Sequence, residues 1–140
     1  MRKFIFLLIL CCFFSVFADS PLPLKGKTIL LDPGHGGDSD AGAVGVNGLM
    51  EKTANLKVAQ LLRDKLTASG AVVMMTRDQD IDMGIVERRN MNIDLKTDLF
   101  VSIHHNANAQ VDRSVNRIEV FYHWNDRGAQ SEDAARLICR

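Results

Sequence analysis

The sequence predicts an α/β domain with a mostly parallel, twisted sheet that is flanked by helices and incomplete at its C-terminus. Short apolar segments alternate with longer segments of helical periodicity, in the order strand, helix, strand, helix, strand. This is the order of a parallel sheet with crossover helices. The apolar segments are nearly continuous, as expected for strands that are covered on both faces. Glycine and short polar residues lie between these segments, as expected for loops.

The first part of this pattern is a strand, a loop and a helix. Residues 27–31 (KTILL) are short, apolar and β-branched, and they stop at the turn sequence DPG. Residues 34–48 are too rich in glycine and short polar residues for regular structure. Over residues 51–68 apolar side chains recur at helical spacing, and Gly70 follows where a capping glycine is expected.

The second part repeats this order. Residues 71–75 (AVVMM) read as the next apolar strand, residues 84–96 as a weaker helix, and residues 98–103 (DLFVSI) as a third strand. Residues 118–122 alternate like a fourth strand, and a further helix opens at Ser131. The chemistry is therefore expected at the carboxyl ends of the first and third strands, where parallel sheets collect ligands.

Residues 1–18 have the layout of a secretory signal peptide. A basic start (MRK) precedes an almost unbroken apolar run over residues 4–17, and Ala18 stands at the expected cleavage position. The alternative is a membrane anchor, but the run is shorter than the roughly 20 residues that a bilayer span needs. We therefore expect cleavage before Asp19, a lead-in over residues 19–26, and secretion to the periplasm or cell envelope.

Charge and cysteine content narrow the function classes. The chain carries 17 basic and 17 acidic residues, so nothing indicates nucleic acid as a partner. Beyond the predicted signal peptide Cys139 is the one cysteine, which excludes an intramolecular disulfide framework in the mature chain. The remaining length suffices for one domain with a single core. We expect a monomer without a membrane span after signal cleavage.

Histidines follow two of the predicted strands. His35 lies just past the first strand, His104 and His105 lie just past the third, and Glu51 begins the first helix. Two imidazoles and one carboxylate are a common ligand set for catalytic zinc, which leaves a fourth position for water. The alternatives are hydrogen-bonded structural histidines and a glutamate that serves the helix dipole.

Four stretches of the chain resemble the zinc-dependent N-acetylmuramoyl-L-alanine amidase family, whose members cleave the amide bond between N-acetylmuramic acid and L-alanine in peptidoglycan. They are ILLDPGHGG (29–37), GLMEKTANL (48–56), the TR pair at 76 with Asp80 and Arg88, and DLFVSIHHNA (98–107). The stretches occur in the family's order and at its typical separations. Residues 27–140 therefore resemble the first two-thirds of the family's catalytic domain.

The resemblance implies an α/β catalytic domain that hydrolyses a muropeptide amide with zinc as its cofactor. It also implies that His35, Glu51 and His104 are the metal ligands. His105 departs from the family's usual small residue, and adjacent side chains on an extended segment point to opposite sides, so we expect it to be a structural or rim residue. The glycines of GHGG are expected to let the loop bend sharply and leave room for the substrate.

Four polar residues near these motifs have candidate supporting roles. Asp32 and Asn106 are candidates for orienting the ligand histidines. Arg77 and Arg88 have the charge to meet substrate carboxylates, but structural salt bridges are the favoured interpretation for both.

The family's catalytic base is a glutamate on a late strand, which by this resemblance lies beyond residue 140. No catalytic residue is therefore assigned. Glu119 and Glu132 follow the last ligand motif, but neither matches the family's base motif. We expect a C-terminally truncated amidase that is poorly soluble and hydrolytically weak or dead. The alternatives are a zinc- or cell-wall-binding remnant, a zinc peptidase that cleaves another bond, and a metal-free structural domain.

Overall fold

The computed structural model describes residues 22–107, 117–122 and 130–139. The predicted signal peptide lies outside these residues. The strands are β1 (Thr28–Pro33), β2 (Val72–Met75) and β3 (Leu99–Ile103), and the helices are α1 (Glu51–Ala68), α2 (Ile85–Leu95) and α3 (Gln130–Ile138). Within the described ranges, none of the helices has the length and apolar character needed to cross a membrane.

The three strands form one parallel sheet in the order β2-β1-β3. β1 occupies the centre, where Leu30 pairs with Met74 on one side and with Phe100 on the other. The side chains of Leu30 and Leu31 are completely buried, as expected for a central parallel strand. The predicted α/β class with a parallel sheet is confirmed.

The described core lies between β1 and α1. Ile29 and Leu31 point to the same side of β1 because side chains alternate along a strand, and with Ala71 they form a buried apolar cluster. Leu62 and Leu66, one turn apart on α1, pack against this cluster. Burial of these residues holds α1 across the sheet, and its first turn then lies near the carboxyl end of β1.

Gly70 ends α1 as the sequence predicts. Its backbone has a φ of 96°, in the left-handed region that glycine adopts without a Cβ penalty. The Gly70 N–H donates to the Thr67 carbonyl at 2.9 Å, and the Ala71 N–H donates to the Leu66 carbonyl at 3.1 Å. These two bonds are the pair that defines a Schellman motif, and they turn the chain directly into β2.

The predicted fourth strand is wrong. Residues 117–122 have no regular secondary structure, and the apolar side chains of Ile118 and Phe121 are 74% and 83% exposed. Alternating apolar residues create a face for burial, but a strand also needs a neighbour that accepts its backbone hydrogen bonds. In the described part of the chain no strand pairs with this segment.

The chain divides between His104 and His105 into two compact units. The first contains the sheet with α1 and α2, and the second contains residues 117–122 and α3. In the second unit Arg117 pairs with Glu119 at 2.6 Å, and Arg136 pairs with Glu132 at 2.6 Å. Glu132 is therefore an ion-paired charge on the surface of α3. The expectation of one domain over residues 27–140 stays a prediction.

Candidate metal centre

Three side chains meet beyond the carboxyl end of β1. His35 follows β1, His104 follows β3, and Glu51 is the first residue of α1. The Oε1 atom of Glu51 lies 3.3 Å from Nε2 of His35 and 3.1 Å from Nδ1 of His104. One potential ligand atom from each residue lies within 4.8 Å of the other two. The structure thus brings together all three residues that the resemblance implied.

Strand pairing explains why the two histidines converge. β1 and β3 are parallel neighbours whose last paired residues are Pro33 and Ile103, so both chains leave the sheet at the same edge. The Gly34 N–H donates to the Ile103 carbonyl at 3.0 Å and continues this pairing by one residue. The next residue of each chain, His35 on one side and His104 on the other, therefore starts from almost the same place.

Glu51 reaches the histidines because the Gly-rich loop holds the start of α1. Its N–H donates to the Ala43 carbonyl at 2.8 Å, and its Oε2 accepts the Ala43 N–H at 2.9 Å. The residue is only 5% exposed. A carboxylate this deeply buried needs partners for its charge, and with Oε2 anchored on the loop, Oε1 is the oxygen that faces the imidazoles.

His35 adopts a backbone conformation that is uncommon for a side chain with a Cβ. Its φ is 61°, in the left-handed region, where strain costs on the order of 1–3 kcal/mol. The His35 carbonyl accepts a hydrogen bond from Arg88 Nη2 at 2.8 Å, and its Nδ1 lies 2.7 Å from Asp40 Oδ1. These two contacts hold the backbone and the ring, and such stored strain is typical of functional sites.

Asp40 orients the His35 ring. Because a carboxylate can only accept, the Nδ1 atom of His35 donates to Asp40, which leaves Nε2 as the ring nitrogen that faces Glu51. The hydrogen bond from His35 also lowers the pKa of Asp40 below its ordinary value. Asp40 was not among the residues predicted to orient a histidine. Its position in the Gly-rich loop, five residues after His35, was the available signal.

The expected orienting role of Asp32 is wrong. Its carboxylate accepts hydrogen bonds from Thr76 Oγ1 at 2.7 Å, Arg88 Nη1 at 2.6 Å and Ser102 Oγ at 2.7 Å, and none of these partners is a ligand histidine. Asp32 therefore ties β1 to β3, to α2 and to the residue after β2. Its ion pair with Arg88 is buried, which confirms the salt bridge predicted for that arginine.

Burial alone would raise the pKa of Asp32, but hydrogen bonds from Ser102, Arg88 and Thr76 together lower it from the usual 3.8. Since the folded-state pKa lies below that of the unfolded chain, ionised Asp32 stabilises the fold fully above about pH 4. This contribution is lost as the pH falls through the folded-state value.

Asp32→Asn is expected to lower the free energy of unfolding at pH 7 by about 3–5 kcal/mol, because it leaves Arg88 buried without a counter-charge. The variant should also lose less stability than the parent chain between pH 5 and pH 3. Urea unfolding at several pH values measures both effects. Asp64→Asn is the control, since Asp64 pairs with Arg63 at the surface. Equal losses in the two variants would contradict the role given to Asp32.

Arg77 is structural, but among the residues that the structure describes it forms no salt bridge, contrary to the prediction. Its completely buried side chain donates to the carbonyls of Pro33, Gly34 and Lys52, each at 2.9 Å, and to that of Gln79 at 3.1 Å. Five N–H donors in a planar fork suit such a cluster of carbonyls. Arg77 thereby holds the chain that leaves β1 against the first turn of α1.

Three further residues that were given no role in the sequence analysis hold the loop around His35. Asn55 donates to the Gly34 carbonyl at 3.0 Å. Lys52 donates to the Gly37 carbonyl and pairs with Asp80, both at 2.7 Å, and Asp80 also accepts the Gly37 N–H at 2.8 Å. The spacing of Lys52 and Asn55, three residues apart at the start of α1, was the signal that one helix face meets this loop.

Two glycines make room for the ligand side chains. A Cβ at Gly34 would collide with the ring of His104, whose Nδ1 would be only 2.7 Å away. A Cβ at Gly42 would lie 2.6 Å from Cδ2 of His35 and 2.8 Å from Cβ of Glu51. The glycines after β1 were predicted to serve a bend and substrate access, whereas the space beside Gly34 is filled by the His104 ring.

A cavity of about 400 Å³ lies against the two histidines. Its lining includes His35, His104, Ile85, Arg89, Asn92 and Phe100. Because the cavity reaches both imidazoles, a ligand bound in it can place a polar group next to the three converging side chains. His105 and Asn106 are exposed and belong to the second unit, so their expected roles stay predictions.

The sequence profile of the N-acetylmuramoyl-L-alanine amidase family Amidase_3 matches residues 29–140 of this chain. The chain belongs to the N-acetylmuramoyl-L-alanine amidase family. This membership confirms the resemblance drawn from the four motifs, and all three converging residues lie inside the matched range.

The chain is also similar to individual amidases. The chain is 43% identical over 116 residues to the N-acetylmuramoyl-L-alanine amidase LytC of Bacillus subtilis, a match that covers 83% of this chain and 23% of LytC. The structure of the amidase AmiC2 of Nostoc punctiforme matches 61% of this chain and 47% of its own, with 32% identity and a TM-score of 0.57. An amidase of Clostridium difficile 630 matches 80% of this chain and 60% of its own, with 26% identity and a TM-score of 0.65. The chain therefore spans less than two-thirds of each of these amidases.

Proposed function

We propose that this member of the amidase family is a zinc-dependent hydrolase of the amide bond between N-acetylmuramic acid and L-alanine in peptidoglycan. The observation that carries the proposal is the convergence of His35, Glu51 and His104 at one edge of an open cavity. Family membership supports the substrate class, since the family and relatives such as LytC are named for this bond.

The donor set fits zinc. Zinc bonds to histidine nitrogen and carboxylate oxygen are about 2.0–2.2 Å long and tetrahedral, which separates neighbouring ligand atoms by about 3.3–3.6 Å. The Glu51 Oε1 atom lies 3.3 Å and 3.1 Å from the two imidazole nitrogens. When bound, the ion would supply a Lewis acid that polarises the scissile carbonyl and activates water near neutral pH.

The chain's own residues hold this geometry in place. Asp40 keeps the Nε2 atom of His35 directed at Glu51, and Arg88 secures the strained His35 backbone. The Ala43 N–H anchors one oxygen of Glu51 so that the other faces the imidazoles. Ligands that are oriented before the metal arrives reorganise little on binding, and outer partners of this kind typically change metal affinity by about 10–100-fold.

The general base is the part of the reaction that the described residues do not supply. In the described ranges, the carboxylates that line the cavity are Asp32 and Asp40. Asp32 is already paired with Arg88, and Asp40 is already paired with His35. A base must take a proton from water and pass it to the leaving amine. This observation favours a second candidate function, in which the chain binds zinc and muropeptide but hydrolyses the amide weakly or not at all.

Product analysis on purified muropeptides tests the proposal. Zinc-loaded chain is expected to release peptides with a new L-alanine amino terminus and to leave the glycan intact. Release should stop when a chelator removes the metal and return when zinc is added. Cleavage of another bond would contradict the substrate class. Binding of zinc and muropeptide without any release would instead support the second candidate function.

We also propose that the protein is exported and acts in the cell envelope. The layout of residues 1–18 supports export, and the proposed substrate lies outside the cytoplasmic membrane.

A further inference from the structure

Helix α2 contributes two adjacent arginines whose surroundings differ. Arg88 is buried, and its guanidinium is neutralised by Asp32 at 2.6 Å. Arg89 is exposed and lines the cavity beside His35 and His104. Among the residues that the structure describes, Arg89 has no hydrogen-bond or ion-pair partner. The cavity therefore contains one guanidinium whose charge is not balanced within the described ranges.

The remaining charges around the cavity are already paired. Asp32 is bound to Arg88, and Asp40 is bound to His35. Because neither carboxylate is available to Arg89, the cavity next to the candidate metal centre favours an anionic ligand group. Phe100 and Ile85 supply apolar surface on the same lining.

Asn92 lies three residues after Arg89, so both side chains occupy one face of α2 and both line the cavity. The Oδ1 atom of Asn92 already accepts the Thr97 hydroxyl at 2.6 Å, and its amide N–H groups are bonded to no described residue. Arg89 and Asn92 thus both present N–H donors at the cavity lining. A planar guanidinium with a neighbouring amide donor suits the geometry of a carboxylate.

We propose that Arg89 and Asn92 form an anion subsite that binds a carboxylate of the stem peptide, on the L-alanine side of the scissile amide. The inference rests on the proposed function. In a muramoyl peptide the lactyl carboxyl group is consumed in the amide bond, so the carboxylates belong to the peptide. The subsite therefore orients the substrate with its peptide toward α2 and its sugar on the opposite side of the metal centre.

The test measures binding of two ligands to the full chain and to its Arg89→Gln variant. The ligands are N-acetylmuramoyl-L-alanyl-D-glutamate with free carboxylates and the same compound with both carboxylates converted to carboxamides. Calorimetric titration of the parent chain is expected to show about tenfold tighter binding of the free acid, the size expected for a hydrogen bond to a charged group. Arg89→Gln is expected to abolish this preference by weakening the free acid alone.

Two further variants sharpen the result. Arg89→Lys keeps the positive charge but lacks the planar set of guanidinium N–H donors. It is expected to recover part of the preference for the free acid. Lys57→Gln removes one positive charge from the exposed surface of α1, outside the cavity lining, and is expected to change neither affinity. Repeating the titrations without zinc separates the effect of Arg89 from direct binding of a carboxylate to the metal.

Different failures have different meanings. If the parent chain binds both ligands equally, or if Arg89→Gln weakens both equally, the subsite is wrong while the proposed function stands. If the parent chain binds neither ligand, with or without zinc, the proposed function and the subsite are both overturned.

Discussion

Glu51→Gln is expected to abolish tight zinc binding by the purified chain. Glu51 Oε1 is the atom that lies next to both imidazoles, at 3.3 Å and 3.1 Å. Glutamine keeps the shape of the side chain but removes the negative charge that offsets a divalent ion, and an amide is a poor ligand for zinc. We expect zinc affinity to fall by at least about 100-fold, the upper end of what the loss of an outer partner costs. Competition with a chelator of known affinity measures this.

Thermal unfolding separates loss of the metal from loss of the fold. A ligand that binds only the folded state raises its stability in proportion to the logarithm of ligand concentration over the dissociation constant. Added zinc should therefore raise the melting temperature of the parent chain but not that of Glu51→Gln. Glu87→Gln is the matched control, because Glu87 also lies in the first turn of a helix but is exposed. Zinc binding by Glu51→Gln at parental affinity would remove the proposed metal site.

Gly34→Ala is expected to cost a metal ligand while the fold survives. The backbone of Gly34 is not in the left-handed region, so alanine fits its conformation. The obstacle is space, because a Cβ there would collide with three atoms of the His104 ring. Since that side chain is 41% exposed, the ring can swing toward solvent and relieve the clash. We expect zinc affinity to fall at least about 100-fold, with a change of about 1 kcal/mol or less in the unfolding free energy of the metal-free chain.

Gly84→Ala is the matched control for this experiment. Gly84 precedes α2 with a φ of −73°, and a Cβ at this position would meet nothing within 4 Å. We expect the control to keep its zinc affinity. A ring signal of His104 that is unchanged in nuclear magnetic resonance spectra of Gly34→Ala would contradict the steric argument, as would unchanged zinc affinity.

The elements around the sheet were predictable because their signals are local. Apolar runs at residues 27–31, 71–75 and 98–103 correspond to β1, β2 and β3, and helical spacing with a terminal glycine located α1 and its end at Gly70. Residues 118–122 carried a comparable local signal and do not form a strand. A strand depends on a partner elsewhere in the chain, and the alternation of side chains does not reveal whether that partner is present.

The supporting residues were harder to predict because hydrogen-bond partners depend on how loops fold. Asp32 directly precedes the ligand loop and was expected to orient a histidine, yet it binds Arg88, Thr76 and Ser102. Asp40 performs the orienting role for His35. Arg77 was expected to pair with an acid and instead donates to four carbonyls. In each case the residue type indicated a supporting role, but the sequence did not reveal which group would be the hydrogen-bond partner.

The sequence by itself determined the α/β class, the family, and the identity of His35, Glu51 and His104 as the candidate metal ligands. These conclusions depend on residue types, their order and their spacing, which are properties of the chain alone. Only the tertiary structure decided that the three side chains converge, that Asp40 directs one ring, that Gly34 leaves space for the other, and that Arg89 borders the cavity with no partner in the described part of the chain. Those facts depend on distances between segments far apart in sequence, and backbone geometry and packing set such distances.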